Sequence, residues 1–445
     1  MDLLSFEKKY AEELLLVGYK HIKVWLLIRT KFKIAGILSE TGYHFNIRTR
    51  DKILLLKNMF YGILNLFRLK KFTYFFFANT NKRYLIDGKY VDIYFDKIAD
   101  ILGQNHSLFI EFAENKHIPR KEIYSKHAMS DLLFKLLGNI ISKFISKHKI
   151  KNINSLNEII SKYNLSVNAI GEIKHMVGEY YVYKFILKYF KPKGIFVFCY
   201  YSKLPLVLAS SERNIPVYEA QHGVINENNE YYNSYFHNLK TFFPNFLLSY
   251  GNELIKNYGT EFIFEKEAII PIGSYYLNYI KDKFSDDYLE SLKIKHEKIV
   301  CVTSQGIFFE NLMEFIEILS KKKPDYLFIL RLKRDEKPEN YLSENIILLN
   351  DYDIYKILKY SDFNITIYSM VALEADFLNV CNIMLNINGL SKKYFSDELN
   401  YTVVEPDQMH LFEFPRNTER KSNLIFQYQK SGYLQNITDF CRNIQ

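Results

Sequence analysis

The sequence predicts an α/β protein of two doubly wound domains, with extra helices at the N-terminus. Three observations predict it. The chain has 445 residues, 48% of them hydrophobic, enough for two domains of ordinary size, each with its own core. From about residue 297, short apolar runs alternate with amphipathic segments, the pattern of a parallel sheet wrapped by helices. In the first half, GIFVFCYYSKLPLVLASSERNIPVYEAQHG reads as strand, helix and strand, and ends in polar side chains where parallel strands present groups to ligands.

Taken in order, residues 5–18 and 52–70 are expected to be helical, since apolar residues recur at three and four. KFTYFFFANTNKRYL reads as a buried strand running into a polar loop, and IDGKYVD carries a DG turn. HSLFIEF (106–112) is a second strand, residues 126–190 read as helical, and 194–200 is a strand. FLLSYG (246–251) is a strand before a helix near 252–258, and EAIIPIGSYYLNYI (267–280) is strand, glycine turn and helix. The polar stretch KDKFSDDYLESLKIKHEK marks the boundary. KIVCVTSQG, DYLFILRLKRDE, NIILLND, FNITIYS and CNIMLNI then supply strands, with helices between them. The expected division is 1–283, 297–416 and a helix within 417–445 packing back toward the first domain.

The net charge is +9, and the 59 Lys and Arg residues are spread along the chain rather than run together. That fits an enzyme meeting anionic substrates or resting on an anionic membrane face. Nucleic acid is not expected, because basic residues do not cluster with aromatics in any stretch that reads as a stacking platform. The four cysteines have no metal-ligand spacing and are expected as free thiols in a reducing compartment. The start of the chain does not read as a secretory signal, and no stretch reaches the roughly 18 apolar residues of a spanning helix. A cytoplasmic protein is expected, with the cytoplasmic membrane face as a candidate surface.

Five motifs point to chemistry. His222 arrives at a strand end with Glu219 and Gln221, just before Gly223. Imidazole and carboxylate are the groups best suited to take a proton from an attacking hydroxyl, and the pair can act as base and orienter. In IYSMVALEA, Ser369 stands where a helix N-cap belongs, which favours an anion, and Glu374 could accept from ribose hydroxyls. In RLKR, Arg331 and Lys333 continue an apolar strand and could hold phosphate. In VTSQG, Ser304, Gln305 and Gly306 form a small turn whose N–H groups could approach a phosphate. Gly273 and Ser274 follow another strand. The second domain has no Asp-x-Asp at a strand end to hold a metal-bound diphosphate, and Asp286-Asp287 lies in the polar linker.

This series, QHG, GS, VTSQG, RLKR and YSMVALEA, resembles bacterial surface-polysaccharide glycosyltransferases of the GT-B type, among them enzymes of capsule, O-antigen and Kdo-transfer pathways. The resemblance is strongest from about 195 to 385. It implies two Rossmann-like domains facing a cleft, the first holding the acceptor and the second the nucleotide sugar. It places Gln221, His222 and Gly223 on the acceptor side, and Arg331, Ser369 and Glu374 on the nucleotide side. One departure stands out: relatives often have Arg-x-His-Pro at the basic strand end, whereas here the sequence is Arg331-Leu332-Lys333-Arg334. The expected activity is metal-independent sugar transfer, with no cofactor, from a nucleotide sugar to a glycan or lipid-linked glycan. The alternatives are a nucleotide-sugar 2-epimerase, a CDP-alditol phosphotransferase, and a non-catalytic sugar-nucleotide-binding protein.

Overall fold

The computed structural model describes residues 2–41, 52–251, 259–304, 306–332, 336, 343–395, 401–415 and 432–445. The helix expected near 252–258 lies outside them, as do Gln305 and Lys333.

Two all-parallel sheets organise the chain. The first contains β1 (Tyr74–Asn79), β2 (Ser107–Phe112), β3 (Ala128–Ser130), β4 (Gly194–Val197), β5 (Val217–Ala220), β6 (Phe246–Ser249) and β7 (Ile269–Pro271), in spatial order 3-2-1-4-5-6-7. The second contains β8 (Lys298–Thr303), β9 (Tyr326–Arg331), β10 (Ile346–Leu348), β11 (Phe363–Thr366), β12 (Cys381–Leu385) and β13 (Thr402–Val404), with β8 central and the order 10-9-8-11-12-13. Both run outward from the first strand in one direction, then return to its other side. That is the doubly wound Rossmann order, and each sheet has a switch point where crossovers leave to opposite faces: between β1 and β4, and between β8 and β11. Two such lobes, preceded by helices Leu3–Lys9, Ala11–Leu16 and Trp25–Thr41, make the α/β GT-B arrangement the sequence predicts.

Aromatic residues fix the register of the first sheet. Phe109, Phe76, Phe196, Tyr218 and Phe246 are direct partners on five neighbouring strands. Their rings stack in sequence at 5.0, 4.6, 4.9 and 5.0 Å. A slip of one residue would turn the whole ladder to the opposite face. The C-terminal helix Gly432–Ile444 lies on this face: Phe440 packs edge-on against Tyr218 at 5.4 Å, and Lys193 Nζ donates to the Gln445 carbonyl. The other face is covered by the long helix Ala169–Phe190 and by Leu204–Ser211.

Four segments differ from the sequence reading. The helix expected over 5–18 is two short helices running into a strand at Gly18–Tyr19, and that over 52–70 breaks at Gly62, φ +65°, into helix Lys52–Phe60 and the 3-10 segment Ile63–Lys71. Residues 126–190 are not wholly helical, since edge strand β3 opens them. The polar linker contains a helix, Asp287–Lys295, whose N–H of Leu289 is capped by Asp286. The helix before it, Tyr275–Asp282, is capped by Ser274 and buries Tyr276, Leu277 and Ile280 in the core of the second lobe. A hairpin from the first lobe, Arg83–Ile86 paired with Lys89–Asp92, enters the same core through Ile86 and Val91. The lobes are therefore joined by shared apolar packing as well as by chain connections. All four cysteines are free thiols, and no helix among the described residues is long and apolar enough to cross a membrane.

Candidate active site between the lobes

The two switch points face each other. In the first lobe the chain leaves β1 through Asn79–Lys82 and leaves β4 through Phe198–Tyr201, so neighbouring strand ends bring these segments together. Lys82 Nζ sits 5.3 Å over the Phe198 ring. His222, two residues past β5, packs on the same ring at 4.6 Å.

His222 is held by two contacts. Its Nδ1 lies 3.1 Å from the Ala220 carbonyl, which can only accept, so Nδ1 carries the proton. Nε2 is then the lone-pair nitrogen and accepts from the Tyr201 hydroxyl at 3.0 Å. Burial, with the Lys82 ammonium nearby, pushes the imidazole down to about 4, so it is neutral at physiological pH. The ring is thus neutral with its tautomer fixed, and its one basic nitrogen, Nε2, is held by the Tyr201 hydroxyl.

Glu219 does not form the expected pair with it. The carboxyl is fully buried, accepts from the Tyr232 hydroxyl at 3.0 Å and the Tyr200 N–H at 3.4 Å, and stands 3.8 Å from His222 Nδ1, too far for a hydrogen bond. Burial raises its pKa well above the ordinary carboxylate value, against the pull of the Tyr232 and Tyr200 hydrogen bonds. The orienter of His222 is a backbone carbonyl. Gln221 is also structural: its side chain accepts from the Tyr250 N–H and donates to the Gly223 carbonyl, clasping the ends of β5 and β6. Gly223 has an ordinary φ and open space where a side chain would project, so no tight turn requires it.

On the second lobe, Glu374 sits in the helix Val371–Phe377 after β11. It is buried rather than solvated, and Oε1 accepts from the Tyr355 hydroxyl at 3.0 Å. Burial raises it to about 7 against the pull of Tyr355 and of Lys82 across the boundary. Lys82 feels the complement: burial lowers its pKa, and Glu374 and Asp92 oppose that. Lys82 and Glu374 thus feel each other's charge across the boundary, and His222 feels Lys82 as well. Tyr94 and Tyr250, 3.5 Å apart between their hydroxyls, also feel Glu374.

The remaining nucleotide-side candidates are mostly committed elsewhere. Arg331 ends β9, but Nε donates to the Tyr352 carbonyl and Nη1 to the Leu332 carbonyl, each at 2.8 Å, so the guanidinium braces the loop before helix Ile354–Tyr360. Ser369 lies one residue before the N-cap, Met370. Its hydroxyl and carbonyl take the N–H groups of Val371 and Ala372, while the Leu373 N–H bonds Met370. The first turn is thus satisfied internally and offers those donors to no anion. The Gly306 N–H donates to Glu336 Oε1 at 2.7 Å, so a carboxylate occupies the donor expected to meet phosphate. Ser304 is different. It follows β8 at the switch point, is buried, and its hydroxyl has no partner among the described residues.

Sequence reasoning missed Lys82, Phe198 and Tyr201. Their only local signal was the polar run after β1 and the aromatic run after β4. It also missed a buried network in which Arg83 binds Glu111 at 2.6 Å, Asp96 at 3.2 Å and Ser125 at 2.7 Å. Those acids are shut off from the boundary and anchor the hairpin carrying Lys82's neighbours.

No protein-family model and no curated protein sequence matches the chain. Among solved structures it is similar to the UDP-GlcNAc 2-epimerase from Neisseria meningitidis bound to UDP-GlcNAc, with a TM-score of 0.49 at 13% identity over 83% of this chain and 99% of that one. The wall teichoic acid polymerase TagF gives 0.45 at 12% over 88% and 99%. The calicheamicin glycosyltransferase CalG4 gives 0.42 at 11% over 84% and 94%. It is the two strand orders above that define the fold.

Proposed function

We propose that the protein is a glycosyltransferase that moves a sugar from a nucleotide-activated donor to a hydroxyl of a glycan or lipid-linked glycan. The observation that carries this reading is the pairing of a neutral, tautomer-fixed His222 with Lys82 and Glu374 across facing switch points. Once the acceptor hydroxyl replaces that of Tyr201 as its hydrogen-bond donor, His222 Nε2 takes the acceptor's proton as it attacks the sugar. Burial chiefly depresses His222, and phosphate bound near Lys82 would offset the smaller part due to the ammonium. Lys82 meets the negative charge that grows on the leaving nucleotide, a role the sequence had assigned to Arg331 and Lys333. Ser304 supplies a hydroxyl to the nucleotide at the second switch point. The reading includes no divalent cation and places the acceptor class in surface-glycan assembly.

A 2-epimerase is the second reading, favoured by Glu374. A carboxyl with a pKa of about 7 beside an ammonium is poised to give and take a proton on a bound sugar. Nucleotide release from UDP-, GDP-, CDP- and CMP-sugars, with and without a glycan acceptor, separates the two. Release that requires acceptor supports transfer. Conversion of the sugar without acceptor supports epimerisation and overturns the transfer reading.

A further inference from the structure

The first lobe carries an apolar surface that faces solvent. In helix Lys52–Phe60 and the 3-10 segment Ile63–Lys71, the outward residues include Phe60 (52% exposed), Leu64 (66%) and Phe67 (82%). In helix Leu132–Lys143 they include Leu136 (41%) and Ile140 (44%), with Phe144 (84%) following its last turn. Leu136, Ile140 and Phe144 recur at four along one helix, and Leu64 and Phe67 at three along the 3-10 segment that starts beyond Gly62, so each of these elements turns apolar side chains outward where a surface helix normally turns polar ones.

The two stripes are neighbours. Gly62, at φ +65°, seats its backbone against β3, and a Cβ there would stand 2.0 Å from the Ala128 carbonyl oxygen. Asn65 donates to the same carbonyl, and the Ser130 N–H donates to Tyr61. Helix Leu132–Lys143 starts just beyond Ser130 and touches helix Lys52–Phe60. The apolar residues thus lie on adjoining elements along one edge of the sheet.

The charge of these segments is one-sided. Residues 52–71 and 132–151 together hold ten Lys or Arg and no Asp or Glu, in a chain whose net charge is +9. The even spread of basic residues along the sequence conceals this, because the two stretches meet only in the fold. Lys57, Lys70, Lys71, Lys143 and Lys147 are all exposed. Lys135 pairs with Asp131 at 3.1 Å, but the five exposed lysines make no ion pair among the described residues, and exposed aromatic and leucine side chains among them match the two layers of an anionic membrane surface, acyl boundary and headgroups. A second copy would bring the same positive charge against itself.

We infer that this edge of the first lobe docks on a bilayer containing anionic lipid. The surface leads to the candidate site: Asp131, immediately before the helix, takes Lys203 Nζ at 2.8 Å, and Tyr201, two residues before Lys203, holds His222. Docking there would bring a membrane-anchored acceptor to the His222 side of the boundary. The inference extends the transfer reading but does not depend on it.

The test is co-sedimentation of the full chain with vesicles, run without donor or acceptor so that it stands or falls apart from activity. Binding is expected to vesicles of phosphatidylglycerol with phosphatidylcholine, to weaken as salt rises, and to be absent with phosphatidylcholine alone. Phe67→Ser with Phe144→Ser, and separately Lys70→Glu with Lys71→Glu, should each weaken binding by about tenfold or more. Ile294→Ser with Leu411→Ser, exposed apolar residues elsewhere, should leave it unchanged. Unaltered melting temperatures show that the variants fold. Failure of the wild type to bind anionic vesicles overturns the inference, as does equal binding by the variants. A lipid-free dimer that the Phe67/Phe144 variant dissociates overturns it in favour of self-association.

Discussion

The two switch points use the same topology differently. In the first lobe, hydrogen bonds prearrange the site: Ala220 and Tyr201 fix both nitrogens of His222, and Gln221 clasps the strand ends beneath. In the second lobe the hydroxyl of Ser304 is left buried with no partner among the described residues, and a carboxyl is held where its ionised form is penalised. A group held at both nitrogens, as His222 is, resists rearrangement, whereas an unpaired buried polar atom, Ser304 Oγ or Glu219 Oε2 beneath His222, costs stability until something meets it. On the proposed reading the lobes do distinct work: the first positions a reacting group, and the second is completed by its ligand.

The sharpest way to break that contrast is at His222. His222→Ala should reduce transfer by about 10²–10⁴-fold while nucleotide affinity stays within a few-fold, because the imidazole serves proton transfer and not donor binding. Initial rates alongside nucleotide titration by calorimetry measure both. Equal losses in rate and affinity would place His222 on the donor side and merge the two roles.

Glu374 sharpens the contrast through pH, since the two lobes respond in opposite directions. Glu374 has a folded pKa raised to about 7, so its contribution is intact below the ordinary carboxylate range and is lost as pH rises toward and through 7. His222 has a folded pKa lowered to about 4, so its contribution is intact above the ordinary imidazole range and is lost as pH falls toward 4. Glu374→Gln should remove the alkaline loss, on the order of 2–3 kcal/mol between pH 5 and 8, and leave the acid side unchanged. Urea unfolding across that range measures it. An alkaline slope that persists in the variant would assign the effect to another buried acid, Asp92, which burial also raises to about 7.

Ser304→Ala gives effects of opposite sign in one variant. Removing an unpaired buried hydroxyl should leave the free protein as stable or slightly more so, yet weaken nucleotide binding by roughly tenfold as one hydrogen bond is lost. Thermal melts with and without nucleotide read both. Weaker free protein with unaltered nucleotide affinity would make Ser304 part of the core.

How much of this the sequence showed depended on whether the determining contact was local. The second sheet was legible because buried parallel strands read as apolar runs, as in KIVCVT and YLFILR, with helices at regular spacing. β3 and β13 were not, each being a three-residue edge strand with little apolar signal of its own. His222 was legible from its place between a strand end and a glycine. Lys82 was not, because its role follows from β1 lying beside β4 and from a carboxyl nearly three hundred residues later in the chain. Arg331 and Ser369 looked like phosphate ligands because sequence shows donors but not acceptors. The Tyr352 carbonyl that takes the Arg331 guanidinium becomes visible only in three dimensions.

The smallest expected effect is at Gly223, and it tests whether the space beside His222 belongs to a ligand. The glycine has an ordinary φ, and a Cβ built there meets nothing within 4 Å. Gly223→Ala should therefore fold with stability unchanged or raised by about 0.4–1 kcal/mol, through the reduced freedom of the unfolded chain. If that space receives the acceptor, the added methyl should raise the acceptor KM several-fold while leaving donor affinity alone, and a bulkier Gly223→Val should raise it further. A glycine kept only for chain flexibility would give no such graded response. Steady-state kinetics with acceptor varied at saturating donor distinguishes the two, and a rise in donor KM instead would put the nucleotide on the first lobe and reverse the assignment of the two lobes.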